Sequence, residues 1–284
     1  MRFSISLPAA GHHSTWQGIS DVTDAAEALG FSSVHALDHL LAPKANTEPY
    51  GRIFEPFVTL SHLAARTQRL KLVTSVLIVA MREPVTVAKQ AATLDVVSRG
   101  RLVLGVGAGW LAEEFANVGA DFHTRGARTD ETIRVCRHLW SGSQEPFHGR
   151  FTSFDDFTFE PLPLQGASLP ILVGGHSDAA LRRAVTLGDA WQGTYIGTEP
   201  VRSLADFGAA VTRLRELSSD RRLPAIGARV WWGVHLSGNP GEMSTQVRAW
   251  EAAGCQDLTI AFGPADVAIG RMRAFAEEVM PAFA

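Results

Sequence analysis

Three short groups of residues in this chain combine types and spacing that chemistry can use. Asp38 and His39 stand together where an apolar run ends, and an imidazole in that place can exchange a proton near neutral pH. Gly105, Gly107 and Gly109 close the apolar, β-forming run 102–106, so no Cβ stands on alternate positions and a flat ring system can come close to the backbone. Gly174, Gly175, His176 and Ser177 lead into a helical stretch, where free backbone N–H groups and a serine hydroxyl make a ready seat for an anion such as phosphate. Each group also has a purely structural reading. The histidine can be a hydrogen-bonded plug, the glycines can relieve crowding, and Ser177 can be a plain helix N-cap.

The elements that position these groups follow from hydrophobic periodicity. Short apolar or alternating runs predict strands at 3–7, 33–37, 70–79, 101–106, 170–173, 190–196, 229–236 and 258–262. Between them, apolar residues spaced by three and four predict helices at 16–29, 56–67, 85–97, 129–140, 178–187, 200–217, 243–253 and 267–283. Gly30 ends the first helix and Pro84 begins the third. Eight strands alternating with eight helices predict an α/β fold of the (β/α)8, or TIM-barrel, type rather than an open doubly wound sheet. No Ser-, Gly- or charge-rich linker divides the chain, so it reads as one domain over 1–284, with insertions at about 111–128 and 141–169. In such a barrel the site is built from the segments that leave the C-terminal ends of the strands, and all three groups stand at such ends.

Other features are read as structural. Cys136 and Cys255 lack a CxxC pattern and read as two buried thiols. His12 and His13 are adjacent, so they point apart, and with no third ligand in sight no metal site is expected. Glu113 and Glu114, with Arg125 and Arg128, read most simply as a helix-start charge cluster, with shaping of the rim as the alternative. The phenylalanines of the 141–168 insertion read as cover for something apolar, and that insertion and 113–128 as the lining of a substrate pocket.

At 284 residues and 46% hydrophobic content the chain can bury a large core. A net charge of -3 with no basic cluster argues against nucleic acid as a partner. No apolar run reaches membrane-spanning length and the start has no signal-peptide pattern, so a cytoplasmic protein is expected, without a membrane partner.

The chain resembles the luciferase-like monooxygenase superfamily. The likeness is carried by DHLL (38–41), EPFVTLSHLAART (55–67), the run 74–115, FHTRGARTDE (122–131), FHGRF (147–151) and PILVGGHSDAALRRAVTLGDAW (170–191). It is most similar to the actinobacterial branch that uses the deazaflavin coenzyme F-420. The resemblance implies that Asp38 and His39 lie beside the ring, with His39 a proton donor or cofactor contact. It also implies a non-prolyl cis peptide at Ser75 and Val76 that props the ring, Gly107 and Gly109 near the ring or its side chain, and Gly174, Gly175, His176 and Ser177 at the phosphate. Hydride transfer between coenzyme F-420 and a small organic substrate is the implied activity, with an FMN-dependent monooxygenase and a non-catalytic binding paralogue as alternatives, and a homodimer is implied. Two positions depart from the family. Trp110 stands where the sugar-phosphate dehydrogenases of that branch keep a catalytic Glu, and Ala108 where luciferase itself carries an Arg for the flavin phosphate.

Overall fold

The computed structural model describes residues 1–195 and 202–283. The chain forms, in order, β1 (Arg2–Ser6), α1 (Trp16–Ala28), β2 (Ser33–Ala36), α2 (Thr47–Tyr50), α3 (Pro56–Arg66), β3 (Lys71–Thr74), β4 (Leu77–Ile78), α4 (Pro84–Val97), β5 (Leu102–Gly107), α5 (Ala112–Asn117), α6 (Arg125–Trp140), β6 (Phe147–His148), β7 (Ser153–Phe154), β8 (Ile171–Gly174), α7 (Asp178–Leu187), β9 (Ala190–Thr194), α8 (Leu204–Leu217), β10 (Ala225–Trp231), α9 (Pro240–Ala252), β11 (Asp257–Ala261) and α10 (Ala265–Glu278).

Neighbouring strands run β3, β2, β1, β11, β10, β9, β8, β5, and β5 pairs back onto β3 through Leu72↔Leu102 and Val73↔Val103. That last pairing closes eight parallel strands into the expected (β/α)8 barrel. Strict alternation sorts each strand into two faces. Phe3 and Ile5, Val34, Ala228 and Val230, and Leu258 and Ile260 are buried apolar residues on the helix-facing side. Ser4, Ser33, His35, Gln192, Arg229 and Thr259 take the alternate positions, and all are buried too. The barrel interior is therefore polar on the side of β1, β2, β9, β10 and β11, while β3 and β8 turn Val73 and Leu172 inward. A chain of contacts runs from Asp257 through the Ser4 and Ser33 hydroxyls to His35, and from Thr259 to Gln192 and Ser75, leaving His35 Nδ1 and Arg229 Nε without a partner among the described residues.

Burial drives the His35 imidazole down to about 4 from its ordinary 6.5, with Asp257 opposing and Arg229 assisting. The folded protein thus refuses a proton that the unfolded chain accepts below pH 6.5. Stability is fully present above that pH and falls as pH drops toward about 4, by roughly 2–3 kcal/mol from this group. Urea titrations of wild type and His35→Gln at pH 7 and pH 4.5 are expected to show a smaller acid loss in the variant. Equal losses in the two proteins would remove His35 as the cause.

Four expectations need correction. The single strand at 70–79 is interrupted between β3 and β4 at Ser75–Val76, whose peptide bond is cis. The seventh strand runs Ala225–Trp231 rather than 229–236, because Gly233 in the left-handed region (φ +80°) turns the chain after it, leaving His235 on the turn with Nε2 at 3.1 Å from the Arg202 carbonyl. Helix α6 begins four residues early, at Arg125. The 141–169 insertion does not line the strand-end site. It packs on the outer helices: Arg150 and Phe151 N–H donate to Glu131 of α6, Lys89 of α4 donates to the Glu160 carbonyl, and Gln165 donates to Asp95 of α4. The end of the sixth strand at Ile196 and the start of its helix at Pro200 lie outside the described residues. Among the described residues, no helix is long and apolar enough to cross a membrane.

Candidate active site at the strand ends

The break in the third strand is held from several sides. Ser75 N–H donates to the Ala36 carbonyl at 2.7 Å and Ser75 Oγ to Gln192 Oε1 at 2.7 Å, while Arg229 Nη1 donates to the Ser75 carbonyl at 2.6 Å. Val76 is thereby aimed at β5 and β8. A Cβ on Gly107 would lie 2.5 Å from Val76 Cγ2, and one on Gly174 would lie 2.7 Å from Val76 Cγ1. At Gly109, where φ is +79°, a Cβ would lie 2.7 Å from the Phe115 ring and 2.8 Å from Ile78. Gly105 is tighter still, with a Cβ position 1.8 Å from the Thr74 carbonyl oxygen. The open space expected at Gly105, Gly107 and Gly109 is thus filled by protein, and so is the Cβ position of Gly174, expected in the anion seat. These glycines seat Val76, Ile78 and Phe115, and act on any ligand through them.

Asp38 and His39 end the second strand and diverge. The Asp38 carboxylate is buried, accepts from both terminal nitrogens of Arg82 at 2.7 Å, and takes Ile78 N–H at 2.7 Å. With both oxygens engaged in a bidentate pair, Asp38 fastens β4 and is not placed as a free proton carrier. His39 Nδ1 lies 2.7 Å from Glu114 Oε2, and Glu114 Oε1 accepts Leu40 N–H at 2.5 Å. Glu114 is wholly buried. Desolvation pushes its carboxyl up, but the His39 contact and the Leu40 and Leu41 N–H groups outweigh this, and the net shift is downward. An ionised carboxylate only accepts, so Nδ1 carries the proton and Nε2 is the exchangeable nitrogen. Nε2 makes no hydrogen bond among the described residues. The His39 ring abuts Tyr50 (centroids 4.5 Å apart), and Trp110 stands edge-on to both at 6.3 and 5.7 Å. Trp110 is 56% exposed, so this aromatic group forms a rim.

Arg229 occupies an inward position of β10 at 7% exposure, and its Nε has no partner among the described residues. Desolvation lowers its guanidinium to about 10, with Tyr50 pulling the other way. Desolvation likewise raises the Tyr50 hydroxyl, against Arg229.

At the end of β8, Gly175 has φ +121° and Ser177 Oγ caps α7 by accepting Ala180 N–H at 3.2 Å. Asp178 is turned outward to Arg182 and Arg213. First-turn N–H groups that the Ser177 hydroxyl leaves over are open to an anion. The His176 ring is not among the open donors at Nε2, which lies 2.7 Å from the Thr194 carbonyl and 3.0 Å from its N–H.

The sequence points to Glu114 only as part of a helix-start charge cluster or the rim, not as the partner of His39, and does not point to Arg229. Glu114 sits in a two-residue acidic pair that looks like a solvated helix start, but α5 turns only one of the two inward, beside buried Phe115. Arg229 carried a readable signal, a lone cation in the apolar alternation Ile226, Ala228, Val230. Cavities of about 260 and 650 Å³ lie at the opposite end of the barrel, around Arg221, Arg222 and Pro224, and around Met1, Cys255 and Gln256. That is the end where barrels carry stability rather than chemistry. Burial pushes Cys255 there up to about 12, as it does Cys136, so neither is a reactive thiolate.

Comparison with known proteins gives a consistent picture. A family model described as luciferase-like monooxygenase matches residues 1–277. An uncharacterized protein of Mycobacterium tuberculosis is 33% identical over 279 residues, covering 90% of this chain and 92% of its own. The FMNH(2)-dependent dimethylsulfone monooxygenase of Pseudomonas putida is 37% identical over 136 residues, 46% of this chain and 37% of that protein. Among solved structures, monooxygenase RslO1 of Streptomyces bottropensis superimposes with a TM-score of 0.83 at 20% identity, covering all of both chains. A coenzyme F-420-dependent secondary alcohol dehydrogenase, in complex with an adduct of that coenzyme and acetone, does so with a TM-score of 0.83 at 17% identity, covering 100% of this chain and 99% of its own.

Proposed function

The chain belongs to the luciferase-like monooxygenase family, and from that premise we propose that it is an oxidoreductase moving a hydride between coenzyme F-420 and a small organic substrate at the strand ends of the barrel. The observation that carries this reading is the His39–Glu114 pair, with Nδ1 2.7 Å from a buried carboxylate and Nε2 without a hydrogen bond among the described residues. A hydride arriving at a carbonyl leaves an oxyanion that needs a proton, and a hydride leaving an alcohol needs a base. An imidazole oriented by a carboxylate does either.

The residues present fit a planar heterocycle with a phosphate tail. Val76 offers an apolar side chain on a turn braced by Ser75, Gln192 and Arg229. Gly175 with the first turn of α7 offers backbone N–H groups to a phosphate. Val76 would support the ring, and Gly175 to Ser177 would take the phosphate. When bound, the deazaflavin supplies the hydride or accepts it. The chain's own part is to hold His39 Nε2 as proton donor or acceptor, to keep Nδ1 protonated through Glu114, to fix the Val76 turn through Asp38, Arg82 and Ser75, and to close the rim with Tyr50 and Trp110.

FMN is the second reading, favoured by the 37% identical stretch shared with an FMNH(2)-dependent enzyme. The cofactor decides the reaction class, since reduced FMN permits oxygen chemistry and a deazaflavin does not. Parallel binding titrations of the purified protein with coenzyme F-420 and FMN separate the two, and saturable F-420 binding tighter than FMN binding is expected. FMN binding without F-420 binding would transfer the assignment to a monooxygenase, and binding of neither would remove the redox reading.

A further inference from the structure

Among the described residues one other arginine is buried, Arg183, also at 7% exposure, and it is paired with Asp130; the part-buried Arg82 is paired with Asp38. Arg229 is not. Among the described residues no Asp or Glu carboxylate comes within ion-pair distance of it, Nη1 is spent on the Ser75 carbonyl at 2.6 Å and reaches Ser75 Oγ only at 3.4 Å, and Nε has no acceptor. An unmatched buried guanidinium is costly to a fold. It stands on the inward face of β10, at the braced Val76 turn and close enough to Tyr50 for the two to act on each other. Tyr50 in turn touches His39. The charge therefore lies at the strand ends, joined to His39 through Tyr50.

We propose that Arg229 seats an anionic oxygen of the substrate, so that the molecule acted on is a small organic anion, of which a carboxylate is the simplest, presented with its reacting carbon toward His39. Nε–H would donate to that oxygen and the guanidinium charge would be matched only when substrate is present. The proposal rests on the strand-end site being where substrate binds. It separates acids from neutral compounds of the same shape, since a site built around a buried charge rejects the neutral analogue that leaves the charge unmatched.

The test is calorimetric binding of benzoate and benzamide, and of hexanoate and hexanamide, to the full chain without cofactor. Wild type is expected to bind each carboxylate at least about tenfold more tightly than its amide. Arg229→Met is expected to abolish that preference, and Arg229→Lys, which keeps the charge without the planar fork, to weaken carboxylates while leaving amides unchanged. Equal affinities in wild type, binding of neither acid, or a carboxylate preference that survives Arg229→Met would each overturn the proposal, the first being the result if Arg229 serves only an oxygen of the cofactor ring. If Arg229→Met does not fold, an Arg229→Lys protein with unaltered carboxylate affinity overturns it equally. Should the carboxylate preference stand while neither F-420 nor FMN binds, the anion seat holds and the redox reading falls. If cofactor binds and the preference is absent, the seat alone falls.

Discussion

Replacing His39 with alanine is expected to lower substrate turnover by about 10²- to 10⁴-fold, the usual contribution of a positioned general acid or base, with cofactor affinity nearly unchanged. The pair geometry makes this more specific than the loss of one histidine. Glu114 is held by His39 and by the Leu40 N–H group, so in the variant its carboxylate keeps the Leu40 donor and the fold is expected to be retained. Glu114→Gln probes the same pair from behind. The amide nitrogen would present N–H to Nδ1, which must then accept, moving the proton to Nε2 and reversing the role of the exchangeable nitrogen. That variant is expected to bind cofactor normally, to turn over more slowly, and to show a displaced pH–rate profile, because an anion that stabilises the imidazolium has gone. A merely structural Glu114 would lower stability without moving the profile. Full turnover by His39→Ala would take His39 out of proton transfer and favour the binding-paralogue alternative.

The largest expected loss of stability belongs to Gly105→Ala. The new Cβ would stand 1.8 Å from the Thr74 carbonyl oxygen, which is backbone and cannot swing aside. Thr74 also locks the two strands through its hydroxyl, donating to the Gly105 carbonyl at 2.7 Å and accepting Gly105 N–H at 2.8 Å. Making room means parting β3 from β5, the pairing that closes the barrel, and a loss above about 4 kcal/mol is expected. Gly208→Ala on α8 is the control. Nothing lies within 4 Å of its Cβ position, and helix propensity predicts a gain of up to about 1 kcal/mol. Gly107→Ala falls between, since its Cβ meets only the Val76 side chain, at 2.5 Å. Combined with Val76→Ala, it is expected to cost less than the sum of the single substitutions, as contacting residues do. Urea midpoints decide all three; Gly105→Ala with near-wild-type stability would contradict the close approach of β3 and β5, and strict additivity would mean that Gly107 does not make room for Val76.

The barrel was legible because it rests on local periodicity. Alternation in strands and three-four spacing in helices are properties of neighbours in sequence, and eight repeats of the pair leave few ways to bury both the strands and the apolar helix faces. The motifs at 38–39, 105–109 and 174–177 were likewise visible, since glycine, imidazole and a serine N-cap each carry a local conformational or chemical preference. What each motif faces was not local. Gly107 looks from the sequence like space for a ring, and only the turn between β3 and β4 shows Val76 filling it. Asp38 and His39 are adjacent just beyond β2, yet one meets Arg82 and the other Glu114, 75 positions away. Glu114 reads as a solvated helix start because burial is set by where α5 lands on the barrel end, and Arg229 becomes a candidate anion seat only because the closed ring of strands brings it no carboxylate among the described residues. Sequence by itself determined the fold class, the strand ends as the place for chemistry and the residue types available there. Tertiary structure decided which of those groups are matched by protein and which are left for a ligand, because burial and charge pairing depend on segments far apart in the chain.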